Sequence, residues 1–249
     1  MPRTPVTYAI GDIHGHLSKL HEAHDWIAED RRQNAEPDAK VVHIGDLVDR
    51  GPDSAGVIAF LHTAIETGEP WIVLKGNHDR MFAGFMDDPS ARDSGLRSEL
   101  TWLDPRLGGA ATLSSFGVRC TETRSINDIH TDALRQIPTD VLRFLQTLPT
   151  SFRSGDCVFV HAGIRPGIPL EDQKEDDLLW IRREFLDDLR DHGALIVHGH
   201  TAIKDATHYG NRVNIDSSVA YGGPLTAVAI EGRHVWQLGP KGRTLLNPV

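Results

Sequence analysis

Short apolar runs closed by polar clusters recur along this chain, and the stretches between them change period. Residues 6–10, 41–44 and 71–74 are strand-length runs rich in β-branched side chains. Between the first two, Leu17, Leu20, His24 and Ile27 recur at helical spacing and predict a helix from residue 17 to about 32. Val57, Ile58, Leu61 and Ile65 share one face of a second helix, over 54–67, with Gly68 as its stop. This is a strand, polar loop, helix rhythm. Units of that kind place their loops at the carboxyl ends of the strands, where segments distant in sequence converge.

From residue 87 to about 136 the rhythm breaks. Trp102-Leu103, Gly108-Gly109 and the run from Thr112 to Phe116 are its landmarks, and the stretch reads as an insertion, helical in part, leaning over the site. A short helix over 141–148 is stopped by Pro149. A strand over 157–160 leads to His161, a helix is expected over 178–189, and a strand over 195–197 leads to His198 and His200. Over 206–238, short strands alternate with turns at Tyr209-Gly210-Asn211, Gly222-Gly223-Pro224 and Glu231-Gly232-Arg233, the pattern of an antiparallel tail. With no internal repeat or linker, the 249 residues read as one α/β domain over 1–249, carrying an insertion at 87–136.

Composition narrows the class of protein. Hydrophobic residues make up 39 % of the chain, enough for a sizeable core. Cys120 and Cys157 are too few for a disulfide framework and lack metal-finger spacing. The opening Met1-Pro2-Arg3-Thr4-Pro5 contains no apolar signal core, and no later run has the length of a membrane span. The expectation is a soluble, cytoplasmic protein with no membrane partner. A formal net charge of −9 argues against a nucleic-acid partner. It leaves room for a phosphorylated one, because bound cations reverse the sign locally.

Five clusters carry the chemistry: Gly11-Asp12-Ile13-His14-Gly15, Gly45-Asp46-Leu47-Val48-Asp49-Arg50-Gly51, Gly76-Asn77-His78-Asp79, His161-Ala162-Gly163 and His198-Gly199-His200-Thr201. Oxygen and imidazole donors without thiolates suit hard or borderline divalent metals, and enough are present for two ions sharing one carboxylate. Asp46 is the natural bridge. Asp12 and His14, two apart on one loop, can turn toward one ion with His200, and Asn77, His161 and either His198 or His200 can serve the other. Together they predict a metal-activated hydroxide as nucleophile. His78, adjoining Asn77, can protonate a leaving oxygen while Asp49 orients its ring. Arg50 offers a guanidinium fork for phosphate oxygens, and Arg182 in Trp180-Ile181-Arg182-Arg183 offers a second.

The Gly-Asp-Ile-His-Gly, Gly-Asp-Leu-Val-Asp-Arg-Gly and Gly-Asn-His-Asp segments resemble the signature of the calcineurin-like metallophosphoesterases. The Asp-Arg-Gly of the second segment resembles the phosphoprotein phosphatase (PPP-type) branch, which includes bacterial and phage serine/threonine phosphatases and symmetrical diadenosine tetraphosphate hydrolases. The landmarks run from Asp12 to Tyr221, and Trp102-Leu103, Gly108-Gly109 and Thr112-Leu113 resemble the middle segment of bacterial members. The resemblance implies a four-layer αββα sandwich of two mixed β-sheets flanked by helices. It implies metal ligands Asp12, His14, Asp46, Asn77, His161 and His200, the last because it is the His of Gly-His-Thr. It implies His78 as general acid with Asp49 as its partner, and Arg50 and Arg182 as phosphate clamps, with Arg183 and Arg165 as alternatives to the second. Two divalent ions are implied, manganese or iron commonly, with zinc or nickel as alternatives. The implied activity is hydrolysis of a phosphomonoester, on a phosphoprotein or a small phosphate ester; the alternatives are a dinucleoside polyphosphate and a broader range of phosphodiesters. The third segment ends in Asp79 where the branch usually has Glu, and the spacing from Trp102 to Gly108 is enlarged.

Other polar residues read more simply. His16 is expected to be solvated, His43 to be a core residue bonded to backbone, and the acidic run over 171–177 to be a solvated face.

Overall fold

The computed structural model describes residues 5–249. The opening stretch read for a signal core lies, apart from Pro5, outside them. Strands β1 (Thr7–Ile10), β2 (Lys40–His43) and β3 (Trp71–Val73) pair in parallel, joined by helices α1 (Leu17–Asn34) and α2 (Ser54–Glu66). Each helix ends on a local signal. Ala35 takes a left-handed backbone after α1, and Asp53 caps α2 by accepting from the Gly56 N–H at 2.8 Å.

The third polar cluster opens a helix, α3 (Asn77–Asp87). Helices α4 (Gly109–Ser115) and α5 (Ile126–Gln136) follow within the irregular 87–136 stretch, then α6 (Thr139–Thr147). A second sheet begins with β4 (Ser151–Ser154) and β5 (Cys157–Val160). The helix expected over 178–189 is two short pieces, α7 (Glu175–Trp180) and α8 (Arg183–Leu186). Extended backbone at Ile181 breaks it, burying that side chain on the outer side of the second sheet and letting Arg182 turn aside.

The remaining strands are β6 (Leu195–His198), β7 (Thr207–His208), β8 (Arg212–Asn214), β9 (Ala227–Glu231), β10 (His234–Gln237) and β11 (Thr244–Leu245). They do not form one antiparallel tail. β8 lies parallel to β6 inside the second sheet, order β4-β5-β6-β8-β7, while β9 pairs antiparallel with β1 in the first, order β11-β10-β9-β1-β2-β3. The three consecutive buried residues of β8 are the mark of an inner strand covered on both faces, which alternation alone does not reveal.

Period-two alternation builds the layers. Tyr8 and Ile10 face outward onto Leu20, Ile27, Val57 and Leu61 of the helices. Ala9, Val42 and Ile44 face inward against Phe159, Val197 and Val213 of the second sheet. Beyond that sheet, Val158, Val160 and Ile196 pack on Leu178 and Phe185. The result is helices, sheet, sheet and helices in four layers, both sheets mixed. No helix among the described residues is long and apolar enough to cross a membrane.

Candidate active site

The five polar clusters meet where the carboxyl ends of β1, β2 and β3 face those of β5 and β6. Their backbone is unusual: His14, Asp46, Asp49, Arg50 and His200 all have positive φ, between 45° and 75°. Aspartate and histidine tolerate this region better than most residues, but each such residue still costs roughly 1–3 kcal/mol. The surroundings over-determine it. Ile13 and His14 both donate their N–H to the Asp46 carbonyl, at 3.1 and 2.7 Å, and Gly15 donates to Leu47 at 2.9 Å. At Gly76 an added Cβ would lie 2.1 Å from the Asp46 backbone nitrogen, so only glycine lets the second and third loops touch. Asp79 fastens the same two loops, accepting from Leu47 N–H at 2.9 Å and from Gly76 N–H at 2.8 Å.

Two groups of donors share Asp46. His14, Asp46 and His78 form one, Asp46, His161 and His200 the other, and the donor atoms of each lie within 4.8 Å of one another. Asn77 joins the second, its amide oxygen 2.8 Å from His161 Nε2 and 2.9 Å from His200 Nδ1. The His200 ring therefore belongs with Asn77 and His161, and the reading that paired it with Asp12 and His14 is corrected. Only its backbone N–H reaches Asp12, at 3.0 Å, because the His200 loop leaves β6 beside β5 in the second sheet. Asp12 is buried and lies outside both groups of three. His198 takes no part: its Nδ1 lies 3.1 Å from the Gly199 carbonyl, its Nε2 faces Arg212, and its ring packs edge-on to Phe185.

These donors fit divalent metal. His14 Nδ1 lies 2.8 Å from the Val48 carbonyl and His161 Nδ1 3.0 Å from that of Ile44, which places the single proton of each neutral ring there. Burial holds both rings below the ordinary imidazole range, His14 well below it. The His161 Nε2 lone pair then faces oxygen lone pairs only, of Asp46 at 3.3 Å and Asn77 at 2.8 Å, while that of His14 lies 3.4 Å from Asp46 and accepts from Arg50. Among the described residues, His200 Nε2 is buried with no hydrogen-bond partner. Burial, with the carboxylates of Asp216 and Asp46 next in importance, pushes Asp12 well above its ordinary range. A cation relieves all of these together.

Beside the donors stands a second network. His78 Nδ1 lies 2.5 Å from Asp49 Oδ2, and Asp49 is fully buried. The indole N–H of Trp102 donates to the same oxygen at 2.8 Å, and the Thr112 hydroxyl donates to Oδ1 at 2.6 Å. Arg50 places Nη1 2.7 Å from His14 Nε2, and its guanidinium lies 5.5 Å from the Tyr221 ring centroid. Arg182 donates to the Thr201 hydroxyl at 3.1 Å and shares with Arg50 a cavity of about 170 Å³ over Asp12, Asp46 and Asn77. Arg165 is spent on Asp177, and Arg183 does not line this cavity, so Arg182 is the second guanidinium there.

Sequence reasoning overlooked Asp216, which lines the cavity with its carboxyl pushed up to about 6 chiefly by burial. The signal was present, since Asn214-Ile215-Asp216 is a sixth polar cluster at a strand end. The roles of Trp102, Thr112 and Asp79 in holding Asp49 and the loops left no local signal. Outside the site, His43 is fully buried with Nδ1 3.4 Å from the Ile72 carbonyl and Nε2 3.0 Å from His24 Nε2. His16 is half-buried, and the 171–177 run is mostly exposed.

Known proteins are similar to this chain. The chain is 25 % identical over 240 residues to the asymmetrical bis(5'-nucleosyl)-tetraphosphatase PrpE of Anoxybacillus flavithermus, covering 88 % of each. It is 28 % identical over 235 residues to serine/threonine-protein phosphatase 1 of Salmonella typhimurium, covering 90 % of this chain and 91 % of that one. In fold it is similar to the cold-active protein-tyrosine phosphatase of a psychrophilic Shewanella, with a TM-score of 0.63, 16 % identity and coverage of 99 % and 83 %. The calcineurin-like phosphoesterase model matches residues 6–229, and the chain belongs to that family of phosphoester hydrolases.

Proposed function

We propose that this chain is a phosphomonoesterase that works with two divalent ions, manganese foremost, sharing Asp46, and that its substrates are phosphoserine or phosphothreonine esters. The observation that carries the reading is the pair of donor groups meeting at one carboxylate, with His78–Asp49 and two guanidinium groups on the same cavity. Bound ions at such a position polarise phosphoryl oxygens and lower the pKa of an attacking water.

The protein's own groups do the rest. Arg50 and Arg182 grip the phosphoryl oxygens with planar donors that match their geometry. His78 gives a proton to the departing oxygen, a contribution of roughly 10²–10⁴ in rate. Asp49 keeps the proton of His78 Nδ1 in place and so fixes which ring nitrogen faces the substrate. A second reading, cleavage of a dinucleoside polyphosphate on the same residues, draws support from the name of the Anoxybacillus relative.

The test is phosphate release from 4-nitrophenyl phosphate by protein stripped with a chelator and then reloaded with manganese. Turnover should appear only on reloading; undiminished turnover in the stripped sample would overturn the reading. Rates on a phosphoserine peptide and on diadenosine tetraphosphate, measured side by side, decide between the two substrates.

A further inference from the structure

The first turn of α7 is acidic, and each of its three carboxylates meets a cation from a segment that carries site residues. Glu175 lies 3.6 Å from Lys75, two residues before Asn77. Asp176 accepts from Arg80, two residues after His78, at 2.7 Å. Asp177 accepts from Arg165, in the loop that follows His161, at 2.8 Å. A helix of six residues is too short to hold its place by its own hydrogen bonds. At its far end come the extended Ile181 and then Arg182. No role assigned above uses Lys75, Arg80 or these three acids.

The three pairs are not equal. Lys75 and Glu175 are loosely apposed, and Arg165 is an exposed side chain, so both of those pairs are worth little. Arg80 is 21 % exposed and forks onto Asp93, which is 6 % exposed: Nε and Nη2 each donate to one of its oxygens at 2.7 Å. Ser94, next in the chain, donates its hydroxyl to Asp176 at 3.0 Å. Gly95, next again, lies against Trp180, where an added Cβ would come 2.3 Å from the indole. Trp180 stands edge-on to His200, ring centroids 5.7 Å apart, and lines the cavity over Asp46 together with Arg182. Residues 93–95 are therefore a bridge from α3, which bears His78, to α7 and the turn that delivers Arg182. Asp176 is 62 % exposed and its pair is screened, so the fork onto Asp93 and the Gly95–Trp180 contact carry most of the hold.

Resting on the phosphatase reading above, we propose that Arg80 is a positioning residue for Arg182: it braces Asp93, Ser94 and Gly95 against α7, and that brace sets the direction in which the second guanidinium enters the phosphoryl cavity. The tip of Arg182 is held by a neutral bond to the Thr201 hydroxyl at 3.1 Å, so its aim depends on the backbone from which it springs. That backbone follows Trp180 by two residues, and Trp180 is what Gly95 presses on. An arginine is needed at position 80 because one planar fork serves both oxygens of Asp93 while its remaining nitrogen reaches Asp176; a lysine has a single nitrogen for all three.

The test is a double-mutant cycle read by calorimetric titration of the manganese-loaded protein with methylphosphonate, an unreactive phosphate analogue. Arg182→Ala should weaken binding by about tenfold, the value of a charge-assisted hydrogen bond. Arg80→Met should weaken it by about fivefold with manganese content per chain unchanged, and in the Arg182→Ala background it should cost less than about twofold. In the Arg50→Ala background Arg80→Met should keep its cost of about fivefold, which a general loosening of the fold would not spare for one partner alone. Asp176→Ala, at an exposed position, answers the case in which Arg80→Met does not fold; it should weaken the analogue by about threefold and add nothing to Arg182→Ala. Additive losses with Arg182→Ala, loss of manganese with Arg80, or no weakening by either brace variant in a folded protein would overturn the proposal. Binding needs no turnover. A protein that shows the coupling and releases no phosphate refutes the phosphatase reading and leaves the brace standing, while additive losses in an active phosphatase do the reverse.

Discussion

The loops after β1, β2 and β3 and the segment between α3 and α4 build one site by opposite means. The loops are short and glycine-punctuated, those after β1 and β2 are held in left-handed backbone, and each delivers donors within a few residues of a strand end. The segment between α3 and α4 brings no donor to either group around Asp46. It brings an indole N–H and, at the start of α4, a hydroxyl to a carboxylate more than 50 residues earlier, and the Gly108 carbonyl accepts the Arg50 N–H at 3.3 Å. One region places charge, and the other fixes the direction in which a neighbouring ring points. Chemistry that needs several cations and one aimed proton requires both.

That division can be broken first at the shared carboxylate. Asp46→Asn replaces one oxygen of the carboxylate common to both donor groups, and the several kcal/mol that metal polarisation would supply correspond to a loss of about a thousandfold in kcat. Steady-state rates at saturating manganese measure it, and metal content per chain should fall with the rate.

His78→Asn acts on the proton alone. It should cost roughly 10²–10⁴ on an ester with a poor leaving group. On 4-nitrophenyl phosphate, whose leaving oxygen needs little help, the loss should be far smaller. Equal losses on both esters would mean that His78 serves the donor group rather than the leaving oxygen.

The comparison sharpens at Trp102. Trp102→Phe keeps the packing against Phe82 and Phe85 but deletes one hydrogen bond to a buried carboxylate, worth about 1–3 kcal/mol. The expected loss on the poor leaving group is about tenfold, with metal content unchanged. Thr112→Val should follow the same pattern. If either variant loses metal instead, the two regions are not separable as described.

The smallest effect expected lies outside both regions. Burial lowers His43 to about 4 and His24 to about 2, so both rings stay neutral in the fold while the unfolded chain takes up protons below the ordinary value of 6.5. The stability this contributes is fully present above pH 6.5 and falls as pH drops toward 4, by at most about 1.4 kcal/mol per pH unit for His43. Urea unfolding of His43→Phe between pH 7 and pH 4.5 should show a shallower decline than wild type. An unchanged slope would mean that His43 is not the group that titrates.

Much of this is legible in the sequence alone. Asp12, His14, Asp46 and Asn77 follow apolar runs so closely that strand, turn and donor are a single local signal, and His161 and His200 repeat it in the second sheet. What stayed hidden was long-range. Nothing near Trp102 in sequence marks Asp49 as its acceptor. Nothing in the apolar pattern over 178–189 announces the break that swings Arg182 toward the cavity, because Leu178, Ile181 and Phe185 keep their helical spacing across it. The parallel seat of β8 was missed for the same reason, since three residues are too few for alternation to choose a sheet.

The donors around Asp46 come from both layers of strands: Asp12, Asp46 and Asn77 follow strands of one sheet, His161 and His200 those of the other. Ions gripped there would rivet the two sheets together, because any shear between them would drag donors off their partners. Loss of metal and loosening of the seam would then be one event, and at a hundredfold excess of ion over its dissociation constant the rivet would add about 2.7 kcal/mol to the resistance against unfolding.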